Sequence, residues 1–425
     1  MPAPHPWLSH YPPGVPAEIP GIGSGSLAAL LEEAFEVHAR REACIFMEKR
    51  HSFRELGEWS GAFAAWLQAQ GLAQGARVAL MMPNLPQYLV ALAGVLRAGF
   101  VVVNVNPLYT ARELEHQLRD SGAEACVVLE NFAATLEEVL DRTNVRHVVL
   151  VSVGDLMGLW RGALVNFAVR HVRKQVPEFR LPLDGGRSVA RFNEVLAAGA
   201  GLPLKRPRLG PDDVAFLQYT GGTTGVSKGA MLLHRNVVSN VLQCEAWFAP
   251  TLREFGGRPL LTVCALPLYH IFALTVCALL GARLGMTLLL IPNPRDIPGF
   301  VGTLARHRVH MFPAVNTLYA ALLADPDFAR LDFSELRVCN GGGMAVHAST
   351  AERWLAATGC PIVEGYGLSE TSPVATCNRL DERVFRGTIG LPVPNTEISI
   401  RDDQGQELPL GAAGEICIQI GRAHV

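Results

Sequence analysis

The sequence lacks the features that mark zinc-binding, secreted and nucleic-acid-binding proteins. Its nine cysteines include no Cys-x-x-Cys pair, which argues against a zinc site or a disulfide framework and indicates reduced, buried thiols. Charged residues make up only 18% of the chain and the formal net charge is −2, so the composition gives no reason to expect a nucleic-acid partner. The proline-rich start, Met1 to Gly21, has no long apolar core and is therefore not a signal peptide. These absences together predict a cytoplasmic protein.

The sequence also lacks a membrane-spanning segment, internal repeats and low-complexity tracts. A spanning helix needs about twenty consecutive, mostly apolar residues. The most apolar region, Leu260 to Ile291, is interrupted by a proline, a histidine, a glycine and an arginine. We therefore predict that this region forms buried strands and a helix.

One segment has the composition of a membrane-surface helix. Between Asp155 and Phe179 apolar residues mix with basic ones, and no acidic residue occurs from Leu156 to Pro177. A basic amphipathic helix of this kind can lie in an anionic membrane interface. Many helices that pack on a protein core have a similar apolar face. The first interpretation predicts peripheral association with the inner face of the membrane, and the second predicts an ordinary surface helix.

The pattern of apolar residues predicts an α/β fold. At 425 residues, 49% of them apolar, the chain is long enough for two or three structural units around a sizeable core. Predicted helices cover 26–39, 51–70 and 88–98, and predicted strands cover 77–82, 100–105, 125–129 and 214–218. Such alternation predicts parallel sheets with helices on both faces. Residues 184–211 are rich in Gly, Pro and Arg and are predicted to be largely irregular.

The predicted strand at 214–218 leads into a loop suited to binding phosphate. From Tyr219 to Ala230 the chain carries four glycines, four Ser or Thr hydroxyls and one lysine. Glycines let backbone N–H groups approach an anion closely, and the hydroxyls and the lysine add donors and positive charge. Because Ser227 precedes Lys228 and Gly229 follows it, the pattern is not that of the P-loop NTPases. A flexible linker seldom continues from a lysine into an apolar strand.

Two further glycine-rich stretches are candidates for binding a nucleotide. The run Gly341 to Gly343 lets a planar ligand lie on the backbone, although a tight turn has the same composition. In the stretch Glu364 to Thr371, Tyr366 is framed by glycines and offers a flat ring for adenine. Glu370 in the same stretch is a hard oxygen donor suited to Mg²⁺.

A histidine in the most apolar region is harder to assign. His270 lies between Tyr269 and Phe272 and follows a predicted strand and a proline. The residues alone favour a core position for this histidine over a role in a site.

Together these motifs resemble the adenylate-forming superfamily, and most closely the bacterial long-chain fatty-acid–CoA ligases. The stretch Gly-Gly-Thr-Thr-Gly-Val-Ser-Lys-Gly-Ala resembles the family's phosphate-binding signature, and Tyr-Gly-Leu-Ser-Glu resembles its adenine and metal motif. The resemblance implies an α/β large domain of two parallel-sheet subdomains over residues 1–380 and the start of a small β-barrel over 381–419. It also implies that ATP activates a fatty carboxylate, with Mg²⁺ present, to an acyl-adenylate that CoA then converts to acyl-CoA.

The resemblance also implies roles for individual residues. The catalytic residues that it implies are Lys228, Thr220, Glu370 and His270. It implies that His270 lies near the acyl carboxylate, whereas the residues alone favour a core position. Mg²⁺ is assigned to Thr220 and Glu370. The nucleotide is assigned to Thr220, Gly221, Gly222, Thr223, Thr224, Gly225, Lys228, Gly341, Gly342, Gly343, Glu364, Gly365, Tyr366, Gly367 and Ser369. Some relatives carry a tryptophan gate after the histidine, and here Leu274 occupies that place.

The resemblance stops after Gln419. The family continues with a ribose-binding aspartate, a hinge arginine and a C-terminal domain that carries the adenylation lysine. Residues 420–425 read as a translated sequencing adapter, so the expectation is a chain without its C-terminal domain and with impaired activity. Two alternatives remain: a ligase for another carboxylate, such as a medium-chain or aryl acid, and a non-catalytic nucleotide- or lipid-binding fragment.

Overall fold

The computed structural model describes residues 5–21, 25–182, 186–220 and 227–420. They form two compact units that the chain enters more than once. The larger unit comprises Ser24–His234 and Val263–Asn293, and the smaller comprises Met1–Gly23, Arg235–Thr262 and Pro294–Val425.

The described residues contain both helices and strands throughout. The α-helices are α1 (Leu27–Val37), α2 (Phe53–Ala69), α3 (Pro86–Arg97), α4 (Ala111–Ser121), α5 (Ala133–Leu140), α6 (Leu159–Phe167), α7 (Phe192–Gly199), α8 (His234–Arg253), α9 (Ile271–Ala273), α10 (Leu280–Leu284), α11 (Ile297–Leu304), α12 (Asn316–Leu323) and α13 (Ala348–Thr358). The strands are β1 (Glu42–Phe46), β2 (Lys49–Ser52), β3 (Arg77–Met81), β4 (Val101–Asn104), β5 (Ala125–Leu129), β6 (His147–Val151), β7 (Ser188–Arg191), β8 (Val214–Thr220), β9 (Lys228–Leu233), β10 (Leu261–Cys264), β11 (Thr287–Leu290), β12 (Cys339–Gly341), β13 (Ile362–Gly367), β14 (Val374–Cys377), β15 (Leu391–Pro392), β16 (Thr396–Arg401) and β17 (Glu415–Ile420). Segments of π-helix, 168–172 and 274–279, continue α6 and connect α9 to α10.

A seven-stranded sheet dominates the larger unit, in the order β7-β6-β5-β3-β4-β8-β9. All neighbouring pairs are parallel except β8 and β9, which are antiparallel. Every residue of β4 and of β5 is buried, as expected of central parallel strands that are covered on both faces. The predicted parallel sheet is therefore confirmed, with one antiparallel edge strand that directly follows the candidate phosphate loop.

The larger unit also contains strands from the most apolar region. The order of this second sheet is β10-β11-β1-β2, in which β1 pairs parallel with β11 and antiparallel with β2. Strand β11 and the π-helical segment 274–279 are fully buried, so the prediction of core strands and a helix for this region is confirmed. No helix in the described parts of the chain is long and apolar enough to cross a membrane.

The prediction of irregular structure for 184–211 is wrong in part. Strand β7 and helix α7 occupy 188–199. The buried residues of α7 are Phe192, Val195, Leu196 and Gly199, and they recur at the helical spacing. Gly199 is needed for close packing, because a Cβ there would lie 2.0 Å from the carbonyl oxygen of Ala62 in α2. Gly199, one of the glycines that suggested a loop, therefore allows α7 to pack closely against α2.

The predicted amphipathic helix is present but shorter than 155–179. Helix α6 and its π-helical continuation cover 159–172. Asp155 lies before the helix, is buried, and accepts a hydrogen bond of 2.7 Å from the backbone N–H of Ser152. Burial raises the pKa of Asp155 to about 6.

A mixed sheet and an aromatic core form the smaller unit. Its sheet has the order β12-β13-β14-β15, in which β12 and β13 are parallel. Trp354 of α13 contacts the rings of Phe312 and Tyr319 at centroid distances of 5.3 and 4.5 Å. Strands β16 and β17 pair antiparallel from Thr396↔Ile420 to Arg401↔Glu415. The tail residues 421–425 lie outside the described residues.

Candidate active site

The two strands around the candidate phosphate loop lie side by side in the larger unit. Thr220 at the end of β8 is the register partner of Lys228 at the start of β9. The hydroxyl of Ser227 donates a hydrogen bond of 2.6 Å to the carbonyl oxygen of Thr220. The Lys228 side chain is exposed. The predicted phosphate-binding residues Gly221, Gly222, Thr223, Thr224 and Gly225 lie outside the described residues.

Helix α4 supports both of these strands, which the sequence did not indicate. The hydroxyl of Tyr219 in β8 donates a hydrogen bond of 2.5 Å to Asp120, and burial together with this carboxylate raises the tyrosine pKa. The ring of Tyr219 lies against Gly229 in β9, where a Cβ would approach it to 2.9 Å. His116 Nε2 lies 2.9 Å from the carbonyl oxygen of Ser227. Since a carbonyl only accepts, the proton is on Nε2.

A buried polar network connects the parallel sheet to the chain segment before His270. The Tyr88 hydroxyl lies 2.7 Å from the side-chain oxygen of Asn104 and 2.8 Å from the carbonyl oxygen of Leu268, and its one proton is shared between these two acceptors. Asn104 in turn donates to the side chain of Gln218 at 3.0 Å, and Gln218 donates to the carbonyl of Tyr269 at 3.0 Å. Fully paired networks of this kind hold a backbone in one geometry. The turn at 268–269 is therefore fixed relative to β4 and β8.

His270 follows this turn and lies at the N-terminus of α9. Its Nδ1 accepts a long hydrogen bond, 3.4 Å, from the backbone N–H of Phe272. The side chain reaches solvent, but the surrounding protein lowers its pKa by desolvation. The imidazole is consequently neutral at pH 7 and presents one N–H donor. The core position that the residues alone favoured is wrong, and Leu274 after it is fully buried.

In the smaller unit, the glycine run begins at the last residue of β12, at the edge of the sheet. Gly341 and Gly342 are buried, whereas Gly343 is exposed and has a φ of +77° that favours glycine. A Cβ on Gly341 would lie 2.6 Å from Val346 Cγ2. The hydroxyl of Tyr319 lies 2.7 Å from the carbonyl oxygen of Phe312 and 3.0 Å from that of Asn340, just before this run, and its one proton is shared between them.

Strand β13 places Glu364 beside the glycine run. Glu364 is the register partner of Gly341. Its carboxylate accepts a hydrogen bond of 2.8 Å from the backbone N–H of Val346. Burial raises the pKa of Glu364, and that hydrogen bond opposes the shift. The side chain therefore ties the segment after the glycines to β13.

Tyr366 and Glu370 lie at the end of β13 and in the turn that follows. Tyr366 is half-buried and pairs in register with Thr376 of β14, and Glu370 is half-buried in the 3-10 turn Ser369–Thr371. Within the described residues the Glu370 carboxylate has no hydrogen-bond or ion-pair partner. One of the glycines around Tyr366 also has a packing role. A Cβ on Gly367 would lie 1.8 Å from the carbonyl oxygen of Pro373, so this glycine admits the backbone of the next strand.

These donors suit a nucleotide and the cation that accompanies it. The half-buried carboxylate of Glu370 and the hydroxyl of Thr220 are hard oxygen donors, the kind that Mg²⁺ takes from proteins while phosphates and water supply the rest. Among the described residues, no group of three or more His, Cys, Asp or Glu side chains forms a metal-binding cluster. Each of these donors taken alone is of the kind that binds a Mg²⁺ ion whose other ligands are phosphate and water. Fold and site together define an α/β nucleotide-binding enzyme.

Comparison with known proteins places the chain within that class. The sequence profile of the family described as AMP-binding enzyme matches residues 31–422. A long-chain-fatty-acid–CoA ligase of Yersinia pestis is 51% identical over 97% of this chain, which spans 72% of the relative's length. The chain belongs to the AMP-binding enzyme family.

Solved structures agree on the fold. The anthranilate–CoA ligase crystallised with anthranoyl-AMP superimposes with a TM-score of 0.77 at 23% identity, covering 94% of this chain and 70% of that one. A long-chain-fatty-acid–CoA ligase from Archaeoglobus fulgidus gives a TM-score of 0.76 at 24% identity, covering 96% of this chain and 77% of that one. The predicted adenylate-forming α/β fold is confirmed.

Proposed function

We propose that this protein is a long-chain fatty-acid–CoA ligase that forms AMP. The observation that carries the proposal is the 51% identity to a relative of that name over 97% of the chain. The pairing of Thr220 with Lys228 and the Tyr366 to Glu370 turn supply the matching donors. In the first half-reaction the fatty carboxylate attacks the α-phosphorus of ATP and pyrophosphate leaves. In the second, the CoA thiol attacks the acyl carbon and AMP leaves.

The proposed roles follow from the chemistry of each side chain. The exposed ammonium of Lys228 binds the phosphates, and the ring of Tyr366 stacks on adenine. The neutral His270 donates a hydrogen bond near the acyl carboxylate without adding a full charge. Glu370 and Thr220 would hold Mg²⁺, which offsets phosphate charge when it is bound. Catalysis then rests on positioning and charge neutralisation, since no covalent intermediate with the protein is required.

The proposal is tested with the purified 425-residue chain. Palmitate, ATP, Mg²⁺ and CoA are incubated with the protein, and palmitoyl-CoA and AMP are quantified by mass spectrometry, with octanoate and benzoate as parallel substrates. Binding of a non-hydrolysable palmitoyl-adenylate analogue is measured by calorimetry on the same preparation. We expect the palmitoyl analogue to bind most tightly and palmitate to be preferred. A preference for octanoate or benzoate would identify a ligase for another acid, and ATP binding without binding of the palmitoyl-adenylate analogue or adenylation of any acid would identify a non-catalytic module.

We further propose that the protein works in the cytoplasm and contacts an anionic lipid surface through α6 and its continuation. Large apolar side chains on this segment are strongly exposed: Leu159 by 91%, Trp160 by 90%, Leu164 by 69%, Phe167 by 57% and Val172 by 70%. Arg173 and Lys174 follow the helix and are also exposed. Apolar anchors with adjacent cations are the combination that an anionic interface binds.

The opposite face of this helix is attached to the segments that follow β5 and β6. Gly162 packs so closely that a Cβ there would lie 2.5 Å from the carbonyl oxygen of Gly154. Asn166 accepts a hydrogen bond of 2.7 Å from the N–H of Gly154. Arg170 donates to the buried carboxylate of Glu130 at 2.7 and 3.0 Å. Arg170 therefore stabilises the fold and does not belong to the lipid-facing cations.

Vesicle co-sedimentation distinguishes a lipid surface from a merely exposed helix. We compare the wild type with Trp160→Ser/Leu164→Ser and with Arg173→Gln/Lys174→Gln on vesicles of phosphatidylglycerol and phosphatidylcholine. Both double variants are expected to lose most of their binding, and the charge variant is expected to lose more as phosphatidylglycerol increases. Binding by both variants that equals that of the wild type would show that this face does not contact lipid.

A further inference from the structure

Helix α4 is attached independently of the candidate phosphate-binding residues. Thr110 caps its N-terminus: the Thr110 hydroxyl accepts from the backbone N–H of Glu113, and the backbone N–H of Thr110 donates to the Glu113 carboxylate. Leu114 and Leu118 are fully buried in the core of the larger unit. Gln117 donates a hydrogen bond of 2.7 Å to the carbonyl of Asn104 in β4. The helix is thus a fixed support, whatever its other side chains do.

Two polar side chains of α4 reach from this support to the strands that carry Thr220 and Lys228. Asp120 accepts from Tyr219, the residue before Thr220, and His116 donates to the carbonyl of Ser227, the residue before Lys228. Strand β9 is at the edge of the sheet, and β8 is its only partner in the ladder among the described residues. The bond from His116 is therefore a second restraint on the start of β9.

These two contacts contribute little to holding the helix itself. His116 is half-buried and Asp120 is exposed, whereas the anchoring residues Leu114 and Leu118 are fully buried. Hydrogen bonds in partly exposed positions add little to global stability, because water competes for the same groups. Their effect is local, on the two residues that follow Tyr219 and Ser227 in the chain.

We infer that His116 and Asp120 are positioning residues that hold Thr220 and Lys228 in place for the phosphates of ATP. The inference rests on the proposed function, because it assumes that these two residues meet the triphosphate. Positioned groups bind an anion more tightly than mobile ones, since less conformational freedom is lost on binding. Removal of either contact therefore weakens phosphate binding while the fold remains intact.

The test measures binding of Mg²⁺ with α,β-methylene-ATP, an analogue that cannot form an adenylate, by calorimetry on the whole chain. His116→Leu removes the donor, and His116→Gln keeps an N–H donor on a flexible side chain. Tyr219→Phe removes a single hydroxyl from the second contact. We expect His116→Leu and Tyr219→Phe each to raise the dissociation constant about 3- to 10-fold, the usual effect of one hydrogen bond. His116→Gln is expected to recover most of the affinity.

Glu115→Gln is the matched control on the same helix. Glu115 pairs with Arg142 at 2.8 Å and with Arg119 at 3.4 Å, so its loss perturbs α4 without touching β8 or β9. Its affinity is expected to equal that of the wild type, and thermal unfolding is recorded for every variant.

The outcomes separate the inference from the proposed function. A wild type that does not bind the analogue overturns the proposed function, and the inference falls with it. A wild type that binds, with both His116→Leu and Tyr219→Phe unchanged, overturns the inference alone. Equal weakening by Glu115→Gln, or no recovery in His116→Gln, would mean that the helix acts only structurally and would also overturn it. If His116→Leu does not fold, Tyr219→Phe decides.

Discussion

Among single residues, His51 makes the stability of the fold depend on pH. The side chain is 0% exposed, and neither ring nitrogen has a hydrogen-bond partner within the described residues. Burial lowers its pKa to about 4. The unfolded chain, with an ordinary pKa of about 6.5, takes up the proton first. This histidine therefore destabilises the fold progressively as the pH falls from about 6.5 towards 4, and has little effect above that range.

Replacement of this histidine tests the sign of the effect. We expect the free energy of unfolding of the wild type to fall between pH 7 and pH 5. The free energy of unfolding of His51→Phe is expected to fall by about 2 kcal/mol less over that interval. Urea unfolding at the two pH values measures it, and His347→Gln, at an exposed position, serves as the control. Equal pH dependence in wild type and His51→Phe would contradict a neutral buried imidazole.

A second residue, Glu370, is the proposed carboxylate ligand of Mg²⁺. It is a half-buried carboxylate in a 3-10 turn, so removal of its charge has a small structural cost. Glu370→Gln is expected to reduce adenylate formation at least tenfold, which corresponds to about 1.4 kcal/mol in the barrier. Pyrophosphate release against Mg²⁺ concentration is the measurement, with Glu382→Gln, which removes the partner of Arg386, as the control. Unchanged Mg²⁺ dependence in Glu370→Gln would remove this residue from the metal site.

Among whole elements, the sequence predicted the bounds best where every residue of the element is buried. Strand β5 was predicted with its observed bounds because all of its residues are buried and apolar. Helix α2 was predicted over 51–70 and spans Phe53–Ala69, because His51 and Ser52 end β2 and Ser52 caps the helix with Glu55. Helix α7 was missed because neighbouring glycines and prolines suggested a loop, and the need for Gly199 arises only from the approach of α2. Local composition cannot report a contact with a residue more than a hundred positions away.

The approach of α7 to α2 yields a prediction about packing. A Cβ at position 199 would meet the backbone carbonyl of Ala62 at 2.0 Å, and a backbone group cannot move aside as a side chain does. Gly199→Ala is expected to destabilise the protein by about 1–3 kcal/mol. Gly201→Ala is the control, because the nearest atom to a Cβ there is 4.0 Å away. Its free energy of unfolding is expected to stay within about 0.5 kcal/mol of the wild-type value. Equal melting temperatures of the two variants would show that α7 does not pack on α2 in this way.

For the whole molecule, the sequence predicted the class of fold and the chemical type of the site, but not the groups that support the site. Tyr366, Glu370 and Lys228 could be selected because their neighbours in the sequence form recognisable patterns. His116 and Asp120 could not be selected, because they lie about a hundred residues before the strands that they contact. The discontinuous composition of each unit also has no local signature. Sequence motifs identify the residues that contact a ligand better than the residues that position them.

The distribution of the nine thiols gives a test that samples the whole chain. Eight cysteines are buried and Cys417 in β17 is partly exposed, in agreement with the buried thiols predicted from the sequence. Burial raises the pKa of Cys126 to about 12 and suppresses its reactive thiolate. Cys360 is the informative exception: a hydrogen bond with the Cys339 thiol lowers its pKa, yet only 3% of the residue is exposed.

Ellman's reagent is therefore expected to label one thiol rapidly in the native protein and all nine in guanidinium chloride. Cys417→Ser should abolish the rapid phase, and Cys360→Ser should leave it unchanged, because access limits reaction before thiolate formation does. Mass spectrometry of the labelled peptides identifies the site. Rapid native labelling of Cys360 would show that the segment before β13 opens to solvent, and that its lowered pKa rather than its burial governs its reactivity.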